Sequence, residues 1–279
     1  MSTSPPDPAI AKGAAPSEGF RAYLAGLRRD ARRVRLMQAL AIILFLALWE
    51  IAPKQQWVNP MLTSNPSAVV EVFFSMVREN NLGMHIWVTF KEAIASFTVG
   101  MVSAVLIAMA LWWSNFLYRI LDPFLVVANS LPKLALAPIF YIWLGDQWSV
   151  YGIAIAISVF ITILMVYGGF RETDADKIKL VRTFGGSKWQ VLTKVVLPAN
   201  IPVMIGALKI NVGLALVGVI AGEFQASKAG LGYLIIYGTQ ILQMHMVMAS
   251  IAILAAMSVV MYMLIAWLER AVIHDRNRH

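Results

Sequence analysis

Three stretches of this chain run for more than twenty residues without a charge: 93–113, 147–170 and 246–268. A helix rises 1.5 Å per residue, so about 20 apolar residues cross the ~30 Å hydrocarbon core of a bilayer. Each stretch is long enough to span. Of the 279 residues 59% are hydrophobic and 14% are charged, where an ordinary soluble domain carries about a quarter charged residues. A soluble fold of this size cannot hide so much apolar surface. The composition excludes a disordered chain, a DNA-binding domain and a typical cytosolic enzyme. Three further segments read as spans. Segment 123–144 holds Lys133 between Pro132 and Pro138, segment 201–222 holds Lys209, and segment 36–52 is the shortest and carries Glu50 near its end. A re-entrant or core segment is the alternative for the last. The expectation is an all-α integral membrane protein with six transmembrane helices.

The charges then give orientation, because Lys and Arg concentrate on the cytoplasmic side. With six spans both termini share a side. Seventeen Lys and Arg fall in the tail 1–36, the connections 114–122 and 171–200, and the C-terminal end, whereas Lys54, Arg78 and Lys228 lie on the other side. Both termini are therefore expected in the cytoplasm of an inner-membrane protein. The same asymmetry accounts for the net charge of +8 without a nucleic-acid partner. The tail divides in two. Residues 1–17 are rich in Pro, Ser and Ala, the composition of a disordered segment. Across 18–35, Phe20, Leu24, Leu27, Ala31 and Val34 recur at helical spacing among Arg28, Arg29, Arg32 and Arg33. That pattern predicts a basic amphipathic helix suited to an anionic lipid surface. Residues 271–279 form a short C-terminal tail.

Signatures of catalysis are absent from the sequence. It has no GxxxxGK[ST] phosphate loop, no HExxH, no GxSxG and no cysteine, and its four histidines are scattered. No metal site, cofactor site or catalytic residue is expected. Buried carboxylate or histidine chains of the kind proton pumps use are also sparse. The alternative among membrane proteins is an ion-coupled secondary transporter, which would need titratable or ion-ligating groups at mid-membrane, where this chain offers few.

The connection 171–200 is the informative segment. Thr173, Asp174 and Asp176 read as a helix start with acids in the first turn. Ile178, Val181 and Phe184 then fall three apart on roughly one face. Gly185-Gly186 ends that helix, and Ser187 with Gln190 makes a capping box for a second. Trp189, Leu192, Val195 and Val196 are its apolar residues, and Pro198 and Pro202 separate it from the next span. A helix–Gly turn–helix with an apolar face outside the bilayer is built to dock on something. Lys188 reads as a plain surface charge.

This segment resembles the "EAA" loop of the permeases of binding-protein-dependent ABC importers: E-A-A, three residues, Gly, nine residues, then I-x-L-P. Gly185 is followed by nine residues and then Val195-Val196-Leu197-Pro198; the E-A-A positions hold Lys179-Leu180-Val181 and depart from the pattern. LWEIAPKQQWVNPMLTSNPSAV, SLPKLALAPIFYIWLG and AGEFQASKAGLGYLI resemble the nitrate, sulfonate, taurine and bicarbonate branch of these permeases. The resemblance covers roughly 37–272. It implies a type I importer permease domain over 36–270, a transport subunit and not an enzyme. Two partner ATPase subunits would hold ATP and Mg, a second permease copy would complete a homodimer, and an external solute-binding protein would deliver a small anionic or heteroaromatic solute. The coupling loop to the ATPase would comprise Lys179, Leu180, Val181, Arg182, Phe184, Gly185, Gly186, Ser187, Trp189, Leu197 and Pro198.

Four polar residues within the spans are candidates for lining the solute path. Lys133 either offers a positive group to an anion or snorkels to the interface, and Lys209 poses the same choice. Asn211 either lines the path or hydrogen-bonds between helices. Glu223, at the external end of its span, caps a helix, contacts the binding protein or sits solvated at the interface.

Overall fold

A computed structural model describes residues 18–59, 62–79 and 81–276. The tail 1–17 and residues 277–279, with the readings made for them, lie outside the described residues. The described residues form helices and no strand: α1 (Glu18–Lys54), α2 (Pro66–Glu79), α3 (Leu82–Trp113), α4 (Asn115–Ser130), α5 (Ala137–Arg171), α6 (Ala175–Thr183), α7 (Lys188–Val191), α8 (Leu197–Ala199), α9 (Ile201–Ala226), α10 (Leu231–Gln240) and α11 (Met244–Arg276). Residues 1–60 and 61–279 are separate units. In the first, the amphipathic segment and the first apolar segment are one continuous helix, α1.

Among the described residues, five helical segments are long and apolar enough to cross a membrane: Arg29–Lys54, Leu82–Trp113, Lys133–Arg171, Ile201–Ala226 and Met244–Trp267. The helix expected over 123–144 is not among them as a continuous element, and Pro132 explains why. A proline lacks a backbone N–H and pushes the residue before it out of the α region. Leu131, at φ −65° and ψ 139°, is extended and ends α4, and a 3₁₀ turn over Lys133–Leu136 leads into α5. A second break falls at Gly145, whose φ of 73° lies outside helical space. Three contacts show that the chain doubles back there. The Tyr118 and Tyr167 rings lie 4.5 Å apart, Lys133 Nζ sits 5.9 Å from the Phe160 ring, and Phe140 and Leu144 pack on Gly152. Segment 115–144 thus runs antiparallel to 146–171, as a broken helix beside a whole one.

Packing in the second unit is close because the contacts are small. Gly218 lies against the backbone of Ala154, and Gly222 against that of Val150. A Cβ at either would sit under 3 Å from main-chain atoms, so small residues let α5 and α9 approach. One buried cluster gathers Met76, Leu82, Ala93, Val150, Val219, Leu231 and Met261. A second, around Ala104, Leu111, Val166 and Phe170, takes in Val191, Leu192 and Val196 from the segment between α6 and α9.

Candidate functional site

The 171–200 loop folds by local rules. Asp174 caps α6, its carboxylate accepting from the Asp176 amide at 2.9 Å. The cap therefore falls one residue after the Thr173 the sequence suggested; Thr173 instead accepts a hydrogen bond from Asn200 Nδ2 at 2.8 Å. At the other end of α6, Gly185 has φ 79°, and Gly185 N and Gly186 N donate to Arg182 O and Val181 O, both at 2.9 Å. This is the Schellman arrangement, in which a left-handed residue closes the last turn. Ser187 and Gln190 make the reciprocal capping box of α7.

From α7 the chain passes through a π turn over Leu192–Val196 into α8. Val191, Leu192 and Val196 anchor it in the core. Three large apolar residues face outward instead: Phe184 is 84% exposed, Leu180 57% and Trp189 56%. Lys179 and Arg182 are exposed on the same helix, Val181 is half-buried, and Leu197-Pro198 carry the chain toward α9. The loop is thus anchored on one side and bare and apolar on the other. Lys188 is no plain surface charge. Its Nζ donates to Trp113 O, the last carbonyl of α3, and lies 5.3 Å from the Trp113 ring, which contacts Trp189 at 6.4 Å. That carbonyl has no partner within the helix, and a cation there meets the negative end of the helix dipole. The 75 residues between donor and acceptor hide this contact from any local reading.

At the opposite end of α3 a second constellation forms, around the turn from α9 to α10. The first amides of α10 are helix-start donors with no partner within the helix, and three side chains receive the amides of Gly230, Leu231 and Gly232. His85 Nδ1 accepts from Gly230 N at 3.0 Å, Thr89 Oγ1 accepts from Leu231 N at 2.8 Å, and Glu223 Oε2 accepts from Gly232 N. Thr89 in turn donates to Glu223 Oε1 at 2.6 Å. The His85 ring stacks on Tyr233 at 5.9 Å. Glu223 is 1% exposed, so of the roles considered for it the capping one is observed. Sequence reasoning missed His85 and Thr89. The signal was present: His85, Thr89, Glu92 and Ser96 are polar at spacings of four, three and four, along one face of a mostly apolar helix.

The four candidate path-lining residues are not brought together. Lys133 donates to Asn129 O at 2.6 Å, closing the C-terminus of α4. Lys209 pairs with Glu269 of α11 at 2.6 Å. Asn211 is fully buried, and neither amide atom has a hydrogen-bond partner. Elsewhere, a cavity of about 890 Å³ opens between the 3₁₀ turn, α9 and α11, lined by Leu134, Leu216, Phe224, Ile251 and Leu254, with Gln225 and Ser258 as polar groups. No group of three or more His, Cys, Asp or Glu that could hold a metal occurs among the described residues.

The chain has counterparts among known proteins. Residues 96–274 match the family model described as binding-protein-dependent transport system inner membrane component. The chain belongs to this family. It is 31% identical, over 85% of its length and 96% of the relative's, to a Haemophilus influenzae protein named "Probable ABC transporter permease protein". It is 24% identical to the taurine transport system permease protein of Escherichia coli, over 86% of this chain and 89% of the other. The fold is similar to that of a chain of the MetNI methionine ABC transporter in an inward-facing form, with a TM-score of 0.60 at 17% identity, covering 70% of this chain and 98% of that one. This family member is accordingly an ABC importer permease subunit, a multi-pass inner-membrane protein that works with an ATPase and a solute-binding protein and is not itself an enzyme.

Proposed function

We propose that this permease docks its partner ATPase on the 171–200 loop and conducts a small solute along the apolar cavity beside α9. The observation that carries the docking assignment is the exposure of Leu180, Phe184 and Trp189 on a loop whose other face is locked into the core. An apolar helix face with no intramolecular cover is what a groove on a partner receives. Two ATPase subunits hold the ATP and Mg, and a second copy of this chain closes the open side of the cavity. With the broken segment 115–144 as a sixth crossing both termini and the loop share one side, and the distribution of Lys and Arg supports the cytoplasm as that side. The α9–α10 turn then faces outside, toward the solute-binding protein. The solute is a small anion or heteroaromatic compound of the kind this branch carries.

A direct test uses the absence of native cysteine. Lys177→Cys and Lys228→Cys are both exposed positions and should react with an impermeant maleimide from opposite sides of oriented vesicles. Purified with its ATPase, the chain should retain it, and the complex should hydrolyse ATP; the chain alone should not. Labelling of both positions from one side, or hydrolysis by the isolated chain, overturns the proposal.

A further inference from the structure

One turn beyond Thr89, α3 carries a second carboxyl that the capping cluster does not use. Glu92 is 8% exposed, and its Oε2 is closed to solvent and meets no donor. Its carboxyl lies within hydrogen-bonding reach of that of Glu223. Ionised carboxyls are acceptors only, so two of them would repel where a hydrogen bond belongs, and a buried charge without a partner is costly. A cation is missing from the pair. The neighbouring lysines do not supply it: Lys91 is exposed, and Lys228 pairs with Asp146 at 3.5 Å. His85 and Thr89 spend their acceptor atoms on the amides of Gly230 and Leu231. Among the described residues no three His, Cys, Asp or Glu gather to hold a metal. An oxygen closed to water is closed to a metal ion or an ammonium group as well. A proton is the cation that fits.

We propose that Glu92 and Glu223 form a proton-binding site, in which a single proton resides on Glu92 and is donated to the Glu223 carboxylate. The surroundings decide which of the two is charged. Glu223 is met by donors, the Thr89 hydroxyl and the Gly232 amide. The Thr89 oxygen already accepts from Leu231 N, so its hydrogen is committed to Glu223. Glu92 has no such donors, and as a neutral acid it becomes one. An O–H donating to a carboxylate is among the stronger hydrogen bonds. It ties α3 to α9 beside the first amides of α10 and completes the set of donors around Glu223. Glu92 also lines a cleft of about 560 Å³ with Asp146, Trp148, Tyr151 and Lys228, the route by which its proton exchanges with water. The site needs neither the ATPase nor a solute.

The test is infrared spectroscopy of the full-length chain, purified in detergent at neutral pH and compared in H2O and D2O. A protonated carboxyl has a C=O stretch separate from that of a carboxylate, and the stretch moves when deuterium replaces the proton. The wild-type chain should show this band. Glutamate labelled with carbon-13 at its side-chain carboxyl should shift it, which assigns the band to glutamate without relying on any variant to fold. Glu92→Gln offers Glu223 an N–H in place of the O–H, so it should purify as the wild type does and lose the band completely. Absence of the band from the wild-type chain overturns the proposal. So does a band that the glutamate label leaves unmoved, or one that survives at full intensity in Glu92→Gln, since the proton then resides elsewhere.

Discussion

The two ends of α3 solve the same problem in opposite ways. Each brings a helix terminus, with its unpaired backbone groups, against a different part of the chain. At the end next to α10 the amides of that helix are taken up by His85, Thr89 and Glu223, all buried. At the loop end the carbonyl of Trp113 is taken up by one lysine in an exposed contact, beside aromatic rings that are themselves largely exposed. A buried polar group that loses its partner bears the full desolvation penalty, about 1–3 kcal/mol; an exposed one exchanges its partner for water at little cost. The α10 end is therefore built to stay together, and the loop end to part and re-form. With the loop as the proposed ATPase dock, that difference lets the loop follow its partner while the α9–α10 turn keeps its shape.

The sharpest way to break this contrast is Gly230→Val. Gly230 has φ 120°, and a Cβ there would stand 2.3 Å from the Glu223 carboxyl carbon. That backbone region is open essentially to glycine alone, and the clash falls on a carboxylate that two hydrogen bonds hold in place. The variant should yield no monodisperse protein in detergent by size-exclusion chromatography. A well-folded Gly230→Val would show that the cluster is pliable and remove the basis of the comparison.

Glu223→Leu should come next. It keeps the bulk but strands the Thr89 hydroxyl and the Gly232 amide, at a cost of about 3 kcal/mol, or roughly 10 °C in melting temperature. Glu223→Gln, which keeps one acceptor oxygen, should lose less than half of that. Equal losses in the two variants would mean that packing rather than hydrogen bonding holds the turn.

Gly185→Val tests the loop end with the same kind of substitution. Gly185 also has positive φ, but nothing lies within 4 Å of a Cβ there. Only backbone strain opposes the change, about 1 kcal/mol. The permease should insert and purify normally and lose its ATPase on a pull-down, because the strained turn tilts α6 away from its docking position. Normal ATPase retention in Gly185→Val would show that the turn does not set the angle of the dock.

The contrast also explains which features the sequence disclosed. The Schellman turn at Gly185 and the capping box at Ser187 join residues three to five apart, so the pattern of residue types announces them. The links that define the two ends of α3 span 75 residues between Lys188 and Trp113 and 134 between Thr89 and Glu223. No local pattern encodes which distant carbonyl a lysine will reach, so Lys188 read as a plain surface charge, whereas it closes the C-terminus of α3. Lys133, read as lining the path or snorkelling, closes the C-terminus of α4 through a carbonyl only four residues back. The third crossing was half legible. Hydropathy located 123–144, and Pro132 and Pro138 marked the disturbance, but the segment begins with α4 at Asn115, whose polar residues hydropathy discounts.

The smallest effect on the fold, and the most telling, is expected from Phe184→Ser. At 84% exposure the Phe184 ring contributes little to the isolated chain, so its loss should change stability by under about 0.5 kcal/mol, the range of ordinary surface substitutions. The same substitution at Leu111, buried in the core beside Val191 and Leu192, should cost several kcal/mol, since it removes apolar burial and adds an unpaired hydroxyl. Against a partner the order reverses. Fully burying a phenylalanine is worth about 1.5–3 kcal/mol, so Phe184→Ser should weaken ATPase binding by at least about tenfold in a titration of the purified components. Leu111→Ser, where it folds, should bind the ATPase with unchanged affinity. A residue that stabilises nothing within its own chain but is required by a partner belongs to an interface. If Phe184→Ser binds the ATPase as tightly as the wild type does, the exposed face of α6 is not the dock, and the outward apolar surface of the loop must be covered by something else.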